Sequence, residues 1–289
     1  MTDAPAALAP SPASKATQPF RANPAIIPPQ PRAYHGVNWT GLKTLYLKEV
    51  RRFWKVGMQT VAAPVVTTLL YMMIFVVAMK GARPAVEGVP FAQFVAPGLI
   101  MMASLNNAFA NSSSSLIQAK IMGTAPDFLT PPLSPLELTV AFAAGAATRG
   151  IVVGLVTAAA VWPFSHYGVA APSAVIYFTA IASLMMAFVG VLTGLWAEKF
   201  DHLAAITNFI IMPLTFLSGT FYSINALPQP FRSAAAYNPF FFVIDGFRYG
   251  FVGHSDGNIG VGVIYSAVLT LTLGAACWLI IRSGWRLKS

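Results

Sequence analysis

The sequence is poor in charged residues and contains only one cysteine. Asp, Glu, Lys and Arg together make up 9% of its 289 residues, and 56% are hydrophobic, whereas a soluble domain carries about 25% charged residues. The single thiol, Cys277, excludes an intramolecular disulfide and a cysteine-ligated metal cluster. These scarcities argue against a soluble fold and against redox chemistry.

The sequence also lacks the phosphate-binding pattern GxxxxGK[ST], in which glycines admit the phosphate and a lysine supplies charge. The chain therefore cannot hydrolyse ATP through a P-loop, and an ATP-driven process would need a separate subunit. Nucleic-acid binding is disfavoured, because the basic residues behind the net charge of +9 cluster at the ends of apolar runs. We expect neither a metal nor a cofactor in this chain.

Six apolar runs are long enough to cross a membrane as helices, which requires about 20 residues for roughly 30 Å of hydrocarbon. They lie at residues 57–79, 94–117, 138–162, 172–196, 203–223 and 258–281. Asparagines and serines make the later half of the second run polar. Prolines inside three of the runs predict kinks, at Pro64, Pro97 and Pro213.

Composition leaves several kinds of membrane protein open. An ion-coupled secondary transporter or channel is the main alternative, but it would use acidic residues inside spans, and no Asp or Glu lies within the six runs. The internal repeats of many secondary transporters are also lacking. An intramembrane serine protease would need a buried histidine beside Ser218, and all four histidines are predicted in tails or loops.

Basic residues outside the spans indicate the orientation of the chain. With the amino-terminal segment inside, the cytoplasmic segments contain Lys15, Arg21, Arg32, Lys43, Lys48, Arg51, Arg52, Lys55, Lys120, Lys199, Arg282, Arg286 and Lys288. The outer segments then contain Lys80, Arg83, Arg232 and Arg248. This asymmetry predicts that both termini are cytoplasmic.

Residues 1–39 and 40–289 are predicted to behave differently. The first segment is rich in Pro and Ala without apolar periodicity, which is typical of a disordered tail, and the second is the membrane domain. Residues 40–56 form an amphipathic, interfacial helix. Its apolar arc contains Leu42, Leu45, Tyr46, Val50, Phe53, Trp54 and Val56, and its basic face contains Lys48, Arg51, Arg52 and Lys55. Glu49 falls on the apolar side, where Arg52 is its nearest partner.

Polar residues inside the spans are candidates for a substrate pathway. Arg149 lies twelve residues after Glu137. At 1.5 Å per residue this places it roughly 18 Å into the bilayer, where its side chain cannot easily reach water. It faces a polar cavity or an anionic substrate group, or else it ties spans together through asparagines and carbonyls. Asn107, Asn111 and Ser115 share one helix face, which we expect to point away from lipid, toward a pathway or a subunit interface.

The segment that starts at Ile224 and ends near residue 256 is too apolar for a plain loop and too rich in Pro and Gly for a crossing. Short helices that dip back into the outer leaflet would account for it. The predicted fold class is an all-α membrane protein with six transmembrane helices, preceded by an amphipathic interfacial helix and with re-entrant helices between spans five and six.

Four segments resemble, in the right order, the integral-membrane permeases of type-2 ABC exporters, in particular a proteobacterial branch with a single-domain permease. They are TLYLKEVRRFWKVGMQTVAAPVVTTLLYMMIF from Thr44, FVAPGLIMMASLNNAFANSSSSLIQAK from Phe94, GTAPDFLTPPLSPLE from Gly123 and YNPFFFVIDGFRYGF from Tyr237. The resemblance covers about residues 40–285. It implies the membrane permease subunit of an ATP-driven exporter, with ATP bound by a separate ATPase subunit.

The resemblance assigns roles to two cytoplasmic segments. The amphipathic helix, with Lys48, Glu49, Arg51 and Arg52, would rest on the membrane next to the ATPase. Residues 118–137 would carry the coupling helix, with the ATPase-coupling residues Gly123, Thr124, Asp127, Phe128 and Leu129. Pro126 interrupts the pattern that the family usually shows before the acidic residue, which leaves the register of the coupling helix open.

The resemblance also implies partners and a range of substrates. The partners are two ABC ATPase subunits, a second permease copy in a homodimer and membrane lipid. Permeases of the family move polysaccharides, lipid-linked molecules, antibiotics and other hydrophobic drugs. We favour an amphipathic or hydrophobic substrate, because the spans carry few charges.

Overall fold

Helices make up nearly all the regular structure in the computed structural model, which describes residues 36–78, 85–86 and 88–285. They are α1 (Trp39–Lys55), α2 (Ala63–Ala78), α3 (Phe91–Ile121), α4 (Pro126–Leu129), α5 (Pro135–Ser165), α6 (Pro172–Trp196), α7 (Phe200–Ile206), α8 (Met212–Leu217), α9 (Phe231–Tyr237), α10 (Pro239–Val252) and α11 (Ile259–Ser283). Strands β1 (Ala85–Val86) and β2 (Val89–Pro90) pair antiparallel, with Val86 opposite Val89. The predicted tail up to residue 35, and Lys80, Arg83, Arg286 and Lys288, lie outside the described residues.

Five helical stretches in the described ranges are long and apolar enough to cross a membrane. They are Met58–Val76, Pro135–Ser165, Pro172–Trp196, Phe200–Leu217 and Ile259–Ser283, and each overlaps a predicted run. The second predicted run lies in α3, which has 31 residues but is made more polar by its asparagines and serines. The chain is therefore predominantly helical, with five candidate membrane-spanning helices and one long helix of mixed polarity.

Helix α3 lies at the centre of the molecule and contacts α2, α5, α6 and α10. Its residues Phe94, Leu99 and Met101 pack in the main apolar core with Phe178 of α6 and Phe247 of α10. The polar residues of α3 are therefore held between other helices of the same chain, which is where a pathway or a ligand site can be built.

Small residues bring α6 close to α3. A Cβ atom at Gly190 would overlap the Oγ of Ser112, and one at Gly194 would lie 2.9 Å from the Cβ of Leu116. The two glycines have the small-xxx-small spacing by which membrane helices approach closely. At the same contact Ser112 Oγ donates a hydrogen bond to the carbonyl oxygen of Ala187 at 2.8 Å. Close packing and hydrogen bonding hold this pair, since burial of apolar surface drives little association within lipid.

Two of the three predicted proline kinks coincide with π-helical turns. The turn Met58–Ala62 comes just before Pro64, and the turn Thr207–Ile211 comes just before Pro213. Proline has no N–H for the carbonyl one turn earlier, and the wider π turn pairs carbonyls with N–H groups five residues on. Pro97 lies inside α3, which continues through it.

The helix limits differ from the predicted ones where polar groups cap or extend a helix. α5 begins at Pro135 because Ser134 and Glu137 form a capping box, with the Ser134 N–H donating to Glu137 Oε2 at 2.6 Å. α3 continues to Ile121, so the predicted loop 118–137 is reduced to residues 122–134. Since α7 begins at Phe200, His202 lies in a helix, and its predicted position in a loop was wrong.

Short helices occupy the segment that was predicted to be re-entrant. A 3-10 turn at Ile224–Ala226 is followed by α9 and α10, and α10 packs against α3, α6 and α11. The depth of these helices in a bilayer stays a prediction.

Candidate functional site

A cavity of about 580 Å³ lies between the start of α2, the middle of α3 and the middle of α5. Its polar lining comprises Arg52, Gln59, Thr60, Thr67, Thr68, Asn106, Asn107, Ser114 and Arg149. Its apolar lining includes Val56, Pro64, Leu99, Met102 and Met212, with Tyr71 beside them. The cavity is thus amphipathic, and both π turns adjoin it through Gln59 and Met212.

Arg149 both faces the cavity and joins two helices, while its predicted role toward a substrate stays a prediction. It lines the cavity, and its Nη2 donates a hydrogen bond to Oδ1 of Asn107 at 2.9 Å, which ties α5 to α3. Its Nε is buried without a hydrogen-bond partner. Among the residues that the structure describes, no carboxylate forms an ion pair with Arg149.

The polar face of α3 bonds to three different side chains of the same chain. Asn107 accepts from Arg149, Asn111 accepts from Arg52, and Ser115 donates to Glu49. Asn111 is completely buried and its Nδ2 has no partner. The three residues therefore join α3 to α1 and α5, and Asn107 is the member that also lines the cavity.

Glu49 is completely buried on the apolar side of α1 and is paired with Arg52, as its position predicts. Arg52 Nε lies 3.2 Å from Glu49 Oε2, and Ser115 Oγ donates to Glu49 Oε1 at 2.8 Å. Arg52 Nη2 also donates to the carbonyl oxygen and Oδ1 of Asn111, at 2.6 Å and 2.9 Å. A Cβ at Gly145 would lie 2.6 Å from the Cβ of Glu49, so the absence of a side chain there lets α1 approach α5.

The amphipathic pattern of α1 is used partly for packing within the chain. Leu45, Glu49 and Phe53 form its buried stripe, which runs along one face at a spacing of four residues. Trp54 and Val56, which the predicted apolar arc also contained, are exposed, with Trp54 66% accessible. These two side chains and the basic residue Arg51 remain available to a membrane surface or a partner.

The start of α1 is anchored on the segment before α5. The Asn38 N–H donates to Glu137 Oε1 at 2.5 Å, and Asn38 Nδ2 donates to the carbonyl oxygen of Pro132 at 3.2 Å. Asn38 Oδ1 accepts from the N–H of Gly41 and so caps α1. Sequence reasoning missed this anchor, although the Ser134 to Glu137 capping-box pattern was a readable signal.

The predicted coupling residues lie in and before the single turn of α4. Gly123 has a φ of +67°, which favours glycine, and Thr124 and Asp127 are exposed. Phe128 is buried, with its ring edge-on to Phe142 at 5.2 Å between centroids, and Leu129 is half-buried. Pro126 is the first residue of the turn, so Asp127 follows it in the first turn of α4.

The amphipathic helix and α4 contact each other. The Lys48 ammonium lies 5.5 Å from the centre of the Phe128 ring, a cation–π contact, and Lys48 Nζ is 3.9 Å from Glu49 Oε1. The two segments to which the resemblance assigned cytoplasmic roles therefore form one surface, which we call the α1–α4 surface.

The start of α3 contacts a second buried arginine, Arg248, which the sequence analysis had counted among the basic residues on the outer side. Arg248 is 2% exposed, donates to the carbonyl oxygens of Phe94 and Gly219, and lies 3.9 Å over the ring of Phe94. Asp245 lies 4.0 Å away and accepts N–H bonds from the turn before α11. Burial raises the pKa of the Asp245 carboxyl, although those N–H bonds and Arg248 lower it.

Long apolar helices beside a cavity with both polar and apolar lining are the architecture of a membrane transport protein. The chain belongs to the ABC-2 type transporter family, whose sequence profile matches residues 40–252. This membership confirms the resemblance seen in the four segments.

Individual relatives agree with the family. Inner membrane transport permease YadH of Escherichia coli (strain K12) is 32% identical over 255 residues, which cover 87% of this chain and 98% of that protein. Nodulation protein J of Rhizobium leguminosarum bv. viciae is 28% identical over 195 residues, 63% of this chain and 73% of that protein. The chain is therefore a multi-pass inner-membrane protein and the permease subunit of an ABC exporter, and its family implies an ABC ATPase partner in general.

Proposed function

We propose that two copies of this chain form a homodimer that works with two separate ABC ATPase subunits, which bind the ATP. Each copy contributes six spans, with α3 as the second span, and both termini face the cytoplasm. α9 and α10 are re-entrant helices that cap the outer end of the pathway. Apolar side chains exposed on α2, α8 and α11 contact lipid or the second copy.

In this proposal the α1–α4 surface receives the ATPase. Closure of the ATPase subunits on ATP pushes the turn of α4 and rocks the spans between inward-facing and outward-facing arrangements. The permease itself makes and breaks no covalent bond, and Asn107, Asn111 and Arg149 belong to the pathway.

A continuous series of side-chain contacts from α4 to the cavity carries this proposal. Phe128 lies against Lys48, Lys48 lies beside Glu49, and Glu49 is bonded to Arg52. Arg52 lines the cavity and bonds to Asn111 on α3. Packed and hydrogen-bonded groups of this kind can pass a displacement of α4 to the pathway.

Charge reversal at Asp127 tests the coupling role of α4. The tagged permease is purified from the membranes of its native host, and bound ATPase is detected by photolabelling with azido-ATP. We expect the wild type to retain an ATP-labelled subunit and the Asp127→Lys variant to lose it and to lose export. Deletion of residues 123–129 should have the same effect, while both variants still insert into the membrane.

Asp201→Lys is the matched control, because Asp201 is also an exposed acidic residue in the first turn of a helix, at the start of the stretch Phe200–Leu217. This variant should keep the labelled subunit. Normal ATP-coupled export by Asp127→Lys, or a wild type that exports without any ATP-labelled partner, would refute the proposal.

A further inference from the structure

The charges around the cavity do not balance. Arg52 and Arg149 both line it, and Glu49 neutralises Arg52. In the described part of the chain no carboxylate does the same for Arg149. A charge placed inside the hydrocarbon region costs at least about 2.5 to 3.5 kcal/mol on insertion scales. An anion in the cavity would offset that cost.

Hydrogen-bonding groups are left unpaired at the same place. Arg149 uses Nη2 on Asn107, but its buried Nε has no partner. The buried Oδ1 of Asn106, which also lines the cavity, lacks one as well. Buried polar atoms are rarely left unsatisfied, and guanidinium donors match the oxygens of a phosphate or carboxylate. The guanidinium of Arg149, which has no carboxylate partner in the described part of the chain, therefore favours an acidic oxygen group as the ligand.

The rest of the cavity is suited to an apolar chain. Leu99 and Met102 of α3 and Met212 of α8 line it, and Pro64 and Tyr71 lie on the α2 wall together with Thr67 and Thr68. A volume of about 580 Å³ is in the range that holds a small ligand or the first part of a larger one. The lining therefore offers Arg149 to a charged headgroup and apolar side chains to the hydrocarbon attached to it.

We propose that this cavity binds an anionic amphiphile, with its acidic headgroup at Arg149 and the beginning of its chain between α2 and α3. The substrate class of the exporter would then be anionic amphiphiles, and this last step rests on the proposed function. The binding site itself does not, because it can be measured without the ATPase.

Binding of dodecyl phosphate to the purified full-length permease tests this inference. Radiolabelled dodecyl phosphate is titrated against permease in phosphatidylcholine nanodiscs, and the amount taken up by protein-free nanodiscs is subtracted. We expect saturable binding that dodecyltrimethylammonium and dodecyl maltoside displace poorly. The Arg149→Gln variant should bind about tenfold more weakly or worse, because a charge-assisted hydrogen bond is lost.

Two further variants keep the result interpretable. Arg149→Lys retains the charge and should bind more tightly than Arg149→Gln, even if the loss of the bond to Asn107 lowers stability in both. Arg282→Gln removes an arginine that lies over Trp278 on α11 and should bind like the wild type. Equal binding by the wild type and Arg149→Gln, or equal displacement by the cationic amphiphile, would overturn the inference.

Nanodiscs that also contain phosphatidylglycerol distinguish two sources of the headgroup. If the bilayer lipid occupies the site, it should displace dodecyl phosphate and co-purify with the wild type more than with Arg149→Gln. If the site selects a cargo that is not a bilayer lipid, dodecyl phosphate binding should be unchanged. Both results keep an anionic amphiphile in the cavity. Because no ATP is used, intact binding with failed ATPase coupling would count against the proposed function alone.

Discussion

Two arginine–carboxylate pairs with the same spacing lie at opposite ends of α3. Arg52 and Glu49 lie beside Asn111, and Arg248 and Asp245 lie near Phe94. In the first pair the arginine side chain is 27% exposed, and in the second it is 2% exposed. The first arginine opens onto the cavity, whereas the second is enclosed by backbone carbonyls and a ring.

The comparison separates two uses of a buried charge. Arg248 bonds to backbone carbonyls at the start of α3 and in the turn after α8, and its partner Asp245 accepts N–H bonds from the turn before α11. Arg52 joins α1 to α3 through the backbone carbonyl and the side chain of Asn111, and one side of it faces the open space of the cavity. We therefore expect the Arg248 end to determine stability and the Arg52 end to determine transport.

Removal of the enclosed arginine should have the largest effect. Arg248→Gln leaves Asp245 and two buried carbonyl oxygens without their cation, and we expect the free energy of unfolding to fall by about 3 to 5 kcal/mol. Unfolding of the purified protein in mixed micelles, followed by circular dichroism, measures this change. Arg232→Gln, at an exposed arginine that bonds to Asn225, should change the same quantity by about 0.5 kcal/mol or less.

Removal of Arg52, which faces the cavity, should lower stability less than removal of Arg248 does and should lower export more. Arg52→Gln loses charge-assisted hydrogen bonds to Asn111, worth about 1.5 to 3 kcal/mol, but Lys48 remains near Glu49 and water can enter through the cavity. Export by membrane vesicles should fall sharply in a variant that still purifies as a folded protein. The distinction between the two ends fails if Arg52→Gln and Arg248→Gln unfold equally easily.

Two glycines extend the comparison to packing. A Cβ at Gly98 would lie 2.5 Å from the backbone oxygen of Thr220, and one at Gly145 would lie 2.6 Å from the Cβ of Glu49. We expect Gly98→Ala to destabilise by about 2 kcal/mol and Gly145→Ala by about 1 kcal/mol, because the Glu49 Cβ can shift with α1, whose other face is exposed, whereas the backbone at Thr220 is buried. Gly145→Ala should instead impair export, since it pushes α1 away from α5. Unfolding assays should show the larger loss of stability in Gly98→Ala. Export assays in vesicles should show the larger loss of transport in Gly145→Ala.

The smallest expected effect is a dependence of stability on pH at the Arg248 end. Since burial raises the pKa of Asp245 in the folded state, the unfolded chain releases this proton at a lower pH than the folded one. Stability should therefore decline as the pH rises from the ordinary Asp range to the raised pKa, with a slope below about 1.4 kcal/mol per pH unit. In the Asp245→Asn variant, this contribution to the pH dependence of the free energy of unfolding should vanish. If the pH dependence persists unchanged in that variant, another group is responsible for it.

The long helices could be predicted from the sequence because their signal is local. A run of apolar residues such as 172–196 predicts a helix, and the structure places α6 at the same limits. The limits of α3 and α5 were less predictable, since they depend on polar residues that can lie inside or outside a helix. The π turns before Pro64 and Pro213 also needed the structure, because a proline predicts a disturbance without its form.

The candidate site was predictable only where residues share an element. Glu49 with Arg52, and Asn107 with Asn111, follow from helical spacing. The bond between Arg149 and Asn107 joins two helices, so spacing along the chain could not reveal it. The burial of Arg248 was also unpredictable, because the helices that enclose it are distant in the sequence.

The two π turns allow the helices that contain them to change length and rotation by rewinding into α-helical turns. Each turn holds more residues than the α turn it replaces, and rewinding by one residue would rotate the helix beyond it by about 100° and shift it by about 1.5 Å. Of the five candidate spans, the two that contain these turns are the least buried within the described chain. Only 17% of the most apolar stretch of each is buried. A step of one residue would therefore turn the part of the span beyond the π turn, and with it Gln59 or Met212, relative to the cavity.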